Sequence, residues 1–261
     1  MTLGRDEQRH LLEAARRAAH DAAVAILDVY ASEFAVRHKE DRSPVTLADE
    51  QAETIIIAAL ARAAPDIPAI AEEQTAAAGA IERPPARFWL VDPLDGTREF
   101  IRRNGEFTIN IALVDGHRPV LGVVHVPVTA TTFMGCGAGT AQRQRGEAAP
   151  VAIAARRPPR EGAVIAHSRS HRNDARLDGY VAGFPGATRI VSGSAVKFCL
   201  VAAGEADYYP RFGPTMEWDT AAGQAVLEAA GGRVTTLDGA DLAYAKPGFL
   251  NPDFIACGLR P

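Results

Sequence analysis

Two aspartates around a tight turn are the residues of this chain best placed to do chemistry. Asp92 and Asp95 lie in the segment WLVDPLDGT, where an apolar, strand-forming run ends at the first carboxylate. Pro93 lacks an N–H, so we expect strand pairing to end there, and Gly96 allows an unusual backbone angle before a polar segment. The turn places both carboxylates, and the carbonyl of Leu94, in one small volume. Such oxygen ligands bind hard cations such as Mg²⁺, and amides after Gly96 can face an anion.

A DxxDG sequence alone also fits a capped turn, in which the carboxylates only accept backbone hydrogen bonds. Other acidic segments at predicted strand or helix ends favour a metal site, namely those with Asp49, with Glu72 and Glu73, and with Asp219. A competing motif, D-x-D-G-T, belongs to phosphatases that form an aspartyl-phosphate. The spacing here is D-x-x-D-G-T, and the extra residue rotates the second carboxylate away, so we expect no phospho-aspartate mechanism.

The elements that must position these residues can be predicted from hydrophobic periodicity and from Pro and Gly. In the first half we predict helices over residues 3–31 and 47–63 and strands over residues 67–71, 87–92, 107–115 and 120–126. An Arg-, Pro- and Gly-rich stretch marks a boundary near residues 156–162. Three strands and three helices alternate after it, which is typical of an α/β lobe. The predicted class is α/β (α+β), with lobes over residues 1–157 and 158–261.

Composition excludes several classes of function. The 261 residues, 47% hydrophobic and 23% charged, suffice for a large globular core. A net charge of −4 gives no general attraction to a nucleic-acid polymer, so none is expected as a partner. Three widely separated cysteines argue for buried free thiols rather than a disulfide framework. Without an apolar stretch of transmembrane length or a signal-peptide core, we expect a cytoplasmic protein with no integral membrane association.

Taken together, the motifs resemble those of the inositol monophosphatase superfamily of lithium-sensitive, Mg²⁺-dependent phosphatases. The matching segments are EE at Glu72, DPLDGT from Asp92 and WDTAAG from Trp218. Within that group, longer segments are similar to the CysQ-type 3'(2'),5'-bisphosphate nucleotidases: KEDRSPVTLAD, GTREFIRRNGEFTINIALV, HSRSH and GSAVKFCLVAAGEADYYPRFGPTMEWDTAAG. The resemblance covers nearly the whole chain. It implies a layered α/β/α/β/α sandwich with the metal site between the lobes.

The resemblance also implies a role for each matching residue. Two Mg²⁺ ions, with a third left open, would be held by Glu72, Asp92, the Leu94 carbonyl, Asp95 and Asp219. The catalytic residues would be Asp49 and Thr97, which orient and help deprotonate the attacking water, and Glu72. The substrate-binding residues would be Gly96, Thr97, His171, Ser194, Lys197, Arg211 and Asp219. Among these, Ser194 and Lys197 match positions that hold the phosphate that is not cleaved, and His171 matches one near the base.

Several of these residues have a structural alternative that the sequence leaves open. They are Asp219 or Ser194 as a helix N-cap, Lys197 as an exposed helical residue, His171 as a loop histidine and Arg211 as a surface ion-pair partner. Ala71 departs from the family pattern, because relatives often carry Gly or a small polar residue before the position of Glu72.

The implied activity is hydrolysis of the 3'-phosphate of adenosine 3',5'-bisphosphate to AMP and phosphate, in support of sulfate assimilation. The 5'-phosphosulfate analogue is a further implied substrate. The alternatives are an inositol-1-monophosphatase or a fructose-1,6-bisphosphatase of the same superfamily, and a catalytically silent binding or regulatory homologue. The expected partner is thus a small nucleotide bisphosphate. A homodimer and a peripheral association with the inner membrane are left open.

Overall fold

The computed structural model describes residues 4–38, 44–79, 81–169 and 175–259. Its helices are α1 (Arg5–Ala31), α2 (Leu47–Ala63), α3 (Glu72–Ala78), α4 (Thr97–Ile101), α5 (Ala175–Ala182), α6 (Val196–Ala202) and α7 (Glu217–Ala229). The first strands are β1 (Val36–His38), β2 (Pro44–Thr46), β3 (Ala69–Ala71), β4 (Arg87–Asp95), β5 (Thr108–Asp115), β6 (Arg118–Val126) and β7 (Thr131–Gly135). The remaining strands are β8 (Gln142–Arg145), β9 (Val151–Ala152), β10 (Val164–Ser168), β11 (Thr188–Ser192), β12 (Tyr208–Arg211), β13 (Arg233–Thr236) and β14 (Phe254–Cys257).

Two large sheets organise the described residues. The first has seven strands in the order β3-β4-β5-β6-β7-β8-β9, in which β3 and β4 are parallel and the other neighbours antiparallel. The second has five strands in the order β11-β10-β12-β14-β13, with parallel pairing from β11 to β12 and antiparallel pairing beyond. Strands β1 and β2 form a separate antiparallel pair.

Strand alternation assigns the two faces of the first sheet to two different cores. In β4, Trp89 and Val91 join the core that α1 and α2 cover, whereas Phe88 and Leu90 join the central core that also contains α6 and α7. The second sheet is covered on both faces in the same way. In β12, the ring of Tyr209 lies 5.0 Å from that of Phe198 in α6, and the ring of its neighbour Tyr208 lies 6.3 Å from that of Tyr180 in α5.

Helices and sheets therefore alternate in five layers: α1 and α2, the first sheet, α6 and α7, the second sheet, and α5. The expected α/β/α/β/α sandwich is confirmed. The predicted helix over 47–63 matches α2, and the predicted helix over 3–31 matches α1 from Arg5 onward. The division into lobes over residues 1–157 and 158–261 stays a prediction.

Other sequence-based expectations were incomplete. The strand predicted over 67–71 is shorter, spanning Ala69–Ala71, and β7, β8 and β9 were not predicted. The three cysteines are free and buried, as expected. Within the described ranges, no helix combines the length and the apolar character that crossing a membrane requires.

Candidate active site

Three carboxylates from distant parts of the chain converge where β4 meets α3 and α7. Glu72 is the first residue of α3, Asp92 lies in β4, and Asp219 lies in the first turn of α7. One oxygen of each side chain lies within 4.8 Å of the others. Asp92 is only 1% exposed. The predicted meeting of these acidic segments is thus seen in the geometry.

A bulge in β4 brings Asp95 to the same side as Asp92. Asp92 pairs with Asn110 and Asp95 pairs with Thr108, so three steps along β4 face two steps along β5. Residues two apart in a strand point to the same face, and the extra residue in β4 keeps both aspartates facing the cavity. The prediction that Pro93 ends strand pairing is wrong, because pairing resumes at Asp95 beyond the bulge.

The turn after the bulge has the conformation expected for a glycine. Gly96 has φ 96° and ψ 42°, in the left-handed region, and directly precedes α4. Leu94, Gly96 and Thr97 line the same cavity as the carboxylates, and the volume of this cavity is about 400 Å³. Every residue predicted to bind the metal is therefore found at one cavity.

Burial has a large effect on the charges of this cluster. It raises the pKa of Asp92 and of Asp219 well above the usual range, and the negative charges of Glu72 and Asp95 raise both further. Burial also raises the pKa of Asp95 to about 6, although the positive charge of Lys197 and a hydrogen bond from Asn110 oppose this. Carboxylates held this close are all ionised only when cations neutralise their charge, and otherwise some of them bind protons. An all-oxygen, acidic donor set suits a hard divalent cation.

Asp49 and Thr97 form a hydrogen-bonded pair beside the cluster. Asp49 lies in the first turn of α2, where its Oδ2 accepts hydrogen bonds from the backbone N–H and the hydroxyl of Thr46, at 2.8 and 2.7 Å. Its Oδ1 accepts a hydrogen bond of 3.2 Å from the Thr97 hydroxyl, which also lies 3.4 Å from the Leu94 carbonyl. Burial raises the pKa of Asp49 to about 6.

A second cavity, of about 190 Å³, adjoins the first and contains a buried lysine. Lys197 is 3% exposed, and its Nζ donates hydrogen bonds to the carbonyls of Ser192, at 3.2 Å, and Ser194. Burial lowers the pKa of Lys197 to about 8, and the carboxylate of Asp95 opposes this. The two cavities share a wall formed by Asp95, Gly96, Arg98, Glu99, Thr215 and Asp219.

The structure differs from the structural alternatives considered for Lys197, Asp219 and Ser194. Lys197 is buried rather than an exposed helical residue. Asp219 is the third residue of α7 and not its N-cap, which is Met216, although its Oδ2 accepts the Met216 N–H at 2.9 Å. Ser194 is not the N-cap of α6 either, because that position is Ala195. Ser194 has φ 44°, and within the described structure its buried Oγ has no hydrogen-bond partner.

The other two substrate-binding predictions have different outcomes. Arg211 lines the second cavity, and its guanidinium donates a hydrogen bond of 2.9 Å to the Pro214 carbonyl. His171 lies outside the described residues.

Three polar residues at the site were not singled out from the sequence. Glu53 of α2 accepts the backbone N–H groups of Glu73 and Gln74 at 2.8 and 2.9 Å, and so caps α3, whose own N-cap Ala71 has no side chain to do so. Asn110 donates to Asp95 at 3.2 Å. Arg98 lines both cavities. Only Asn110 gave a local signal, as a polar residue between Ile109 and Ile111.

Comparisons with known proteins agree with this fold. The model of the inositol monophosphatase family matches residues 7–256, and the chain belongs to that family. The family is metal-dependent, and the carboxylate cluster supplies side chains that could bind a metal.

Individual proteins show which members of the family the chain is similar to. The chain is 43% identical to the 3'(2'),5'-bisphosphate nucleotidase CysQ of Salmonella typhimurium, over 94% of this chain and 98% of that protein. It is 37% identical to the protein of the same name from Buchnera aphidicola, over 96% and 95%. The crystal structure of CysQ from Bacteroides thetaiotaomicron superposes with a TM-score of 0.81, at 36% identity, over 96% of this chain and 97% of that one. The inositol monophosphatase structure from Anabaena gives a TM-score of 0.72 at 25% identity, over 95% and 90%.

Proposed function

We propose that this protein is a Mg²⁺-dependent 3'(2'),5'-bisphosphate nucleotidase. It hydrolyses the 3'-phosphate of adenosine 3',5'-bisphosphate to AMP and phosphate, and accepts the 5'-phosphosulfate analogue. The relatives that carry this activity in their names match nearly the whole chain at up to 43% identity.

One observation carries the proposal: a carboxylate cavity and a lysine cavity share a wall. The phosphate to be hydrolysed needs the first, where the negative charge of the protein calls for metal ions. The second phosphate of a bisphosphate needs a separate positive charge, which Lys197 provides at 3% exposure. A monophosphate would leave this buried ammonium without an anionic ligand.

The ligands for two Mg²⁺ ions would be Glu72, Asp92, Asp95, Asp219 and the carbonyl of Leu94. When bound, such ions acidify a water molecule and neutralise charge on the phosphate oxygens. The residues of the chain then hold the reacting groups in place. The phosphate that is not cleaved binds to Lys197 and to the hydroxyl of Ser194, which is buried and has no hydrogen-bond partner among the residues that the structure describes.

Asp49 and Thr97 form the route by which a proton leaves the attacking water. The Thr97 hydroxyl accepts the proton of the water and donates its own to Oδ1 of Asp49, to which it already donates a hydrogen bond of 3.2 Å. Oδ2 of Asp49 stays occupied by Thr46. Because burial raises the pKa of Asp49 to about 6, this carboxylate accepts a proton more readily than an exposed aspartate.

A substrate panel tests the proposal. Phosphate release is measured with adenosine 3',5'-bisphosphate, inositol 1-phosphate and fructose 1,6-bisphosphate, each with Mg²⁺ and with EDTA. We expect the adenosine compound to give the highest kcat/KM, and activity to require Mg²⁺. A higher kcat/KM for either of the other two would replace this proposal with the corresponding phosphatase of the same family. No release from any substrate would favour a silent binding homologue.

A further inference from the structure

We propose that Glu106 is a positioning residue that fixes the spacing between the two cavities and so makes the site selective for bisphosphates. This inference rests on the proposed function. Glu106 lies just before β5, between the turn of the metal-binding motif and the segment that leads into α6.

The side chain of Glu106 is hydrogen-bonded to the loop at Gly193, which lines the second cavity. Its Oε2 accepts the backbone N–H of Gly193 at 2.9 Å, and both of its oxygens accept hydrogen bonds from Arg169, at 2.6 and 3.2 Å. Gly193 directly precedes Ser194, and the carbonyls of Ser192 and Ser194 are the acceptors for Lys197. Glu106 therefore holds the loop that holds the lysine.

The backbone of Glu106 touches both halves of the site. A Cβ on Gly193 would lie 2.6 Å from the Glu106 carbonyl oxygen, and one on Gly96 would lie 3.2 Å from the same atom. Since contacts under 3.0 Å force atoms to shift, the loop approaches this closely only because residue 193 is a glycine. One residue thus sets how far the Gly96 turn lies from the Gly193 loop.

The Arg169 ion pair alone would not support this role. Its side chains are 34% and 29% exposed, and pairs of that kind contribute little to stability. The hydrogen bond to the Gly193 N–H differs, because it fixes the loop whose Ser192 and Ser194 carbonyls accept hydrogen bonds from Lys197. Losing it shifts the lysine cavity relative to the carboxylate cavity. The shift weakens the binding of a substrate that occupies both cavities, whereas it does not affect a substrate that occupies only the carboxylate cavity.

The test compares two substrates that differ by one phosphate, adenosine 3',5'-bisphosphate and adenosine 3'-monophosphate. For Glu106→Ala we expect KM for the bisphosphate to rise about tenfold, in line with one lost charge-assisted hydrogen bond, with kcat and both constants for the monophosphate within about threefold of wild type. Glu106→Gln keeps an acceptor for the Gly193 N–H and should restore most of the selectivity. It also covers the case in which the alanine variant does not fold.

Glu205→Ala is the matched control, because it removes an Arg–Glu pair of the same 2.6 Å length, with Arg143, away from both cavities. It should leave selectivity unchanged. The inference is overturned if Glu106→Ala raises KM equally for both substrates, lowers kcat on both, or behaves like Glu205→Ala. Wild-type enzyme that does not hydrolyse the bisphosphate would instead refute the proposed function, so the two failures are distinguishable.

Discussion

Replacing Lys197 with methionine gives a quantitative test of the second phosphate site. The substitution keeps most of the length and an unbranched apolar side chain but removes the charge and the three N–H donors. In the described structure, two donors are directed to the carbonyls of Ser192 and Ser194, which leaves one for a phosphate oxygen. A hydrogen bond to a charged group contributes about 1.5–3 kcal/mol. We therefore expect KM for adenosine 3',5'-bisphosphate to rise about 10- to 100-fold.

The matched measurement uses adenosine 3'-monophosphate. Lys197 also offsets the charge of Asp95, so its loss affects the carboxylate cavity to the same extent with either substrate. The ratio of the two KM values removes that shared effect and isolates the contact with the second phosphate. Thermal unfolding checks that the unpaired carbonyls have not destabilised the fold. Equal changes in KM for the two substrates would refute the assignment of Lys197 to the second phosphate.

Three further predictions concern the metal ligands, their support and the fold. Asp95→Asn should lower kcat by about 10²–10³, the scale of losing one transition-state stabilising group. The unfolding temperature should not fall, because burial disfavours the charged form of Asp95. Near-normal turnover at saturating Mg²⁺ would contradict this prediction. Glu53→Ala should raise the Mg²⁺ concentration for half-maximal activity about tenfold, because Glu53 supports the helix that begins with the metal ligand Glu72. Glu50→Ala on the same helix should leave this concentration unchanged. Mg²⁺-dependent shifts of the unfolding temperature provide an independent measure. Burial lowers the pKa of His125 to about 3, so below about pH 6.5 the unfolded chain binds a proton that the folded chain does not. The free energy of unfolding of the wild type should therefore fall by about 2 kcal/mol between pH 6.5 and pH 5. Urea titrations at the two pH values should show that His125→Gln does not undergo this loss.

The parts of the fold that the sequence predicted are those with strong periodicity or a short motif. Helix α2 begins and ends where the apolar pattern and Pro65 indicated. The seven-stranded sheet was only partly predicted, because β8 has the sequence QRQR and owes its existence to pairing with its neighbours. Propensity alone carries no information on such tertiary pairing.

The candidate site shows the same division. The oxygen ligands from Asp92 to Asp95 could be predicted because their types and spacing lie within four residues of sequence. The supporting contacts could not, since Glu53 acts on α3 from 20 residues away and Glu106 acts on Gly193 from 87 residues away. The register beyond Pro93 also depends on β5, which the local sequence does not specify.

The bulge between Asp92 and Asp95 is as necessary to the family motif as the two acidic residues themselves. The two aspartates are three residues apart, and a regular strand directs side chains at that separation to opposite faces. The bulge returns both side chains to the same face. A homologue that kept the spacing of three but paired without the bulge could retain every acidic residue and still present only one of the pair to its substrate. Genome surveys that score acidic residues but ignore this irregularity would therefore include enzymes that cannot turn over.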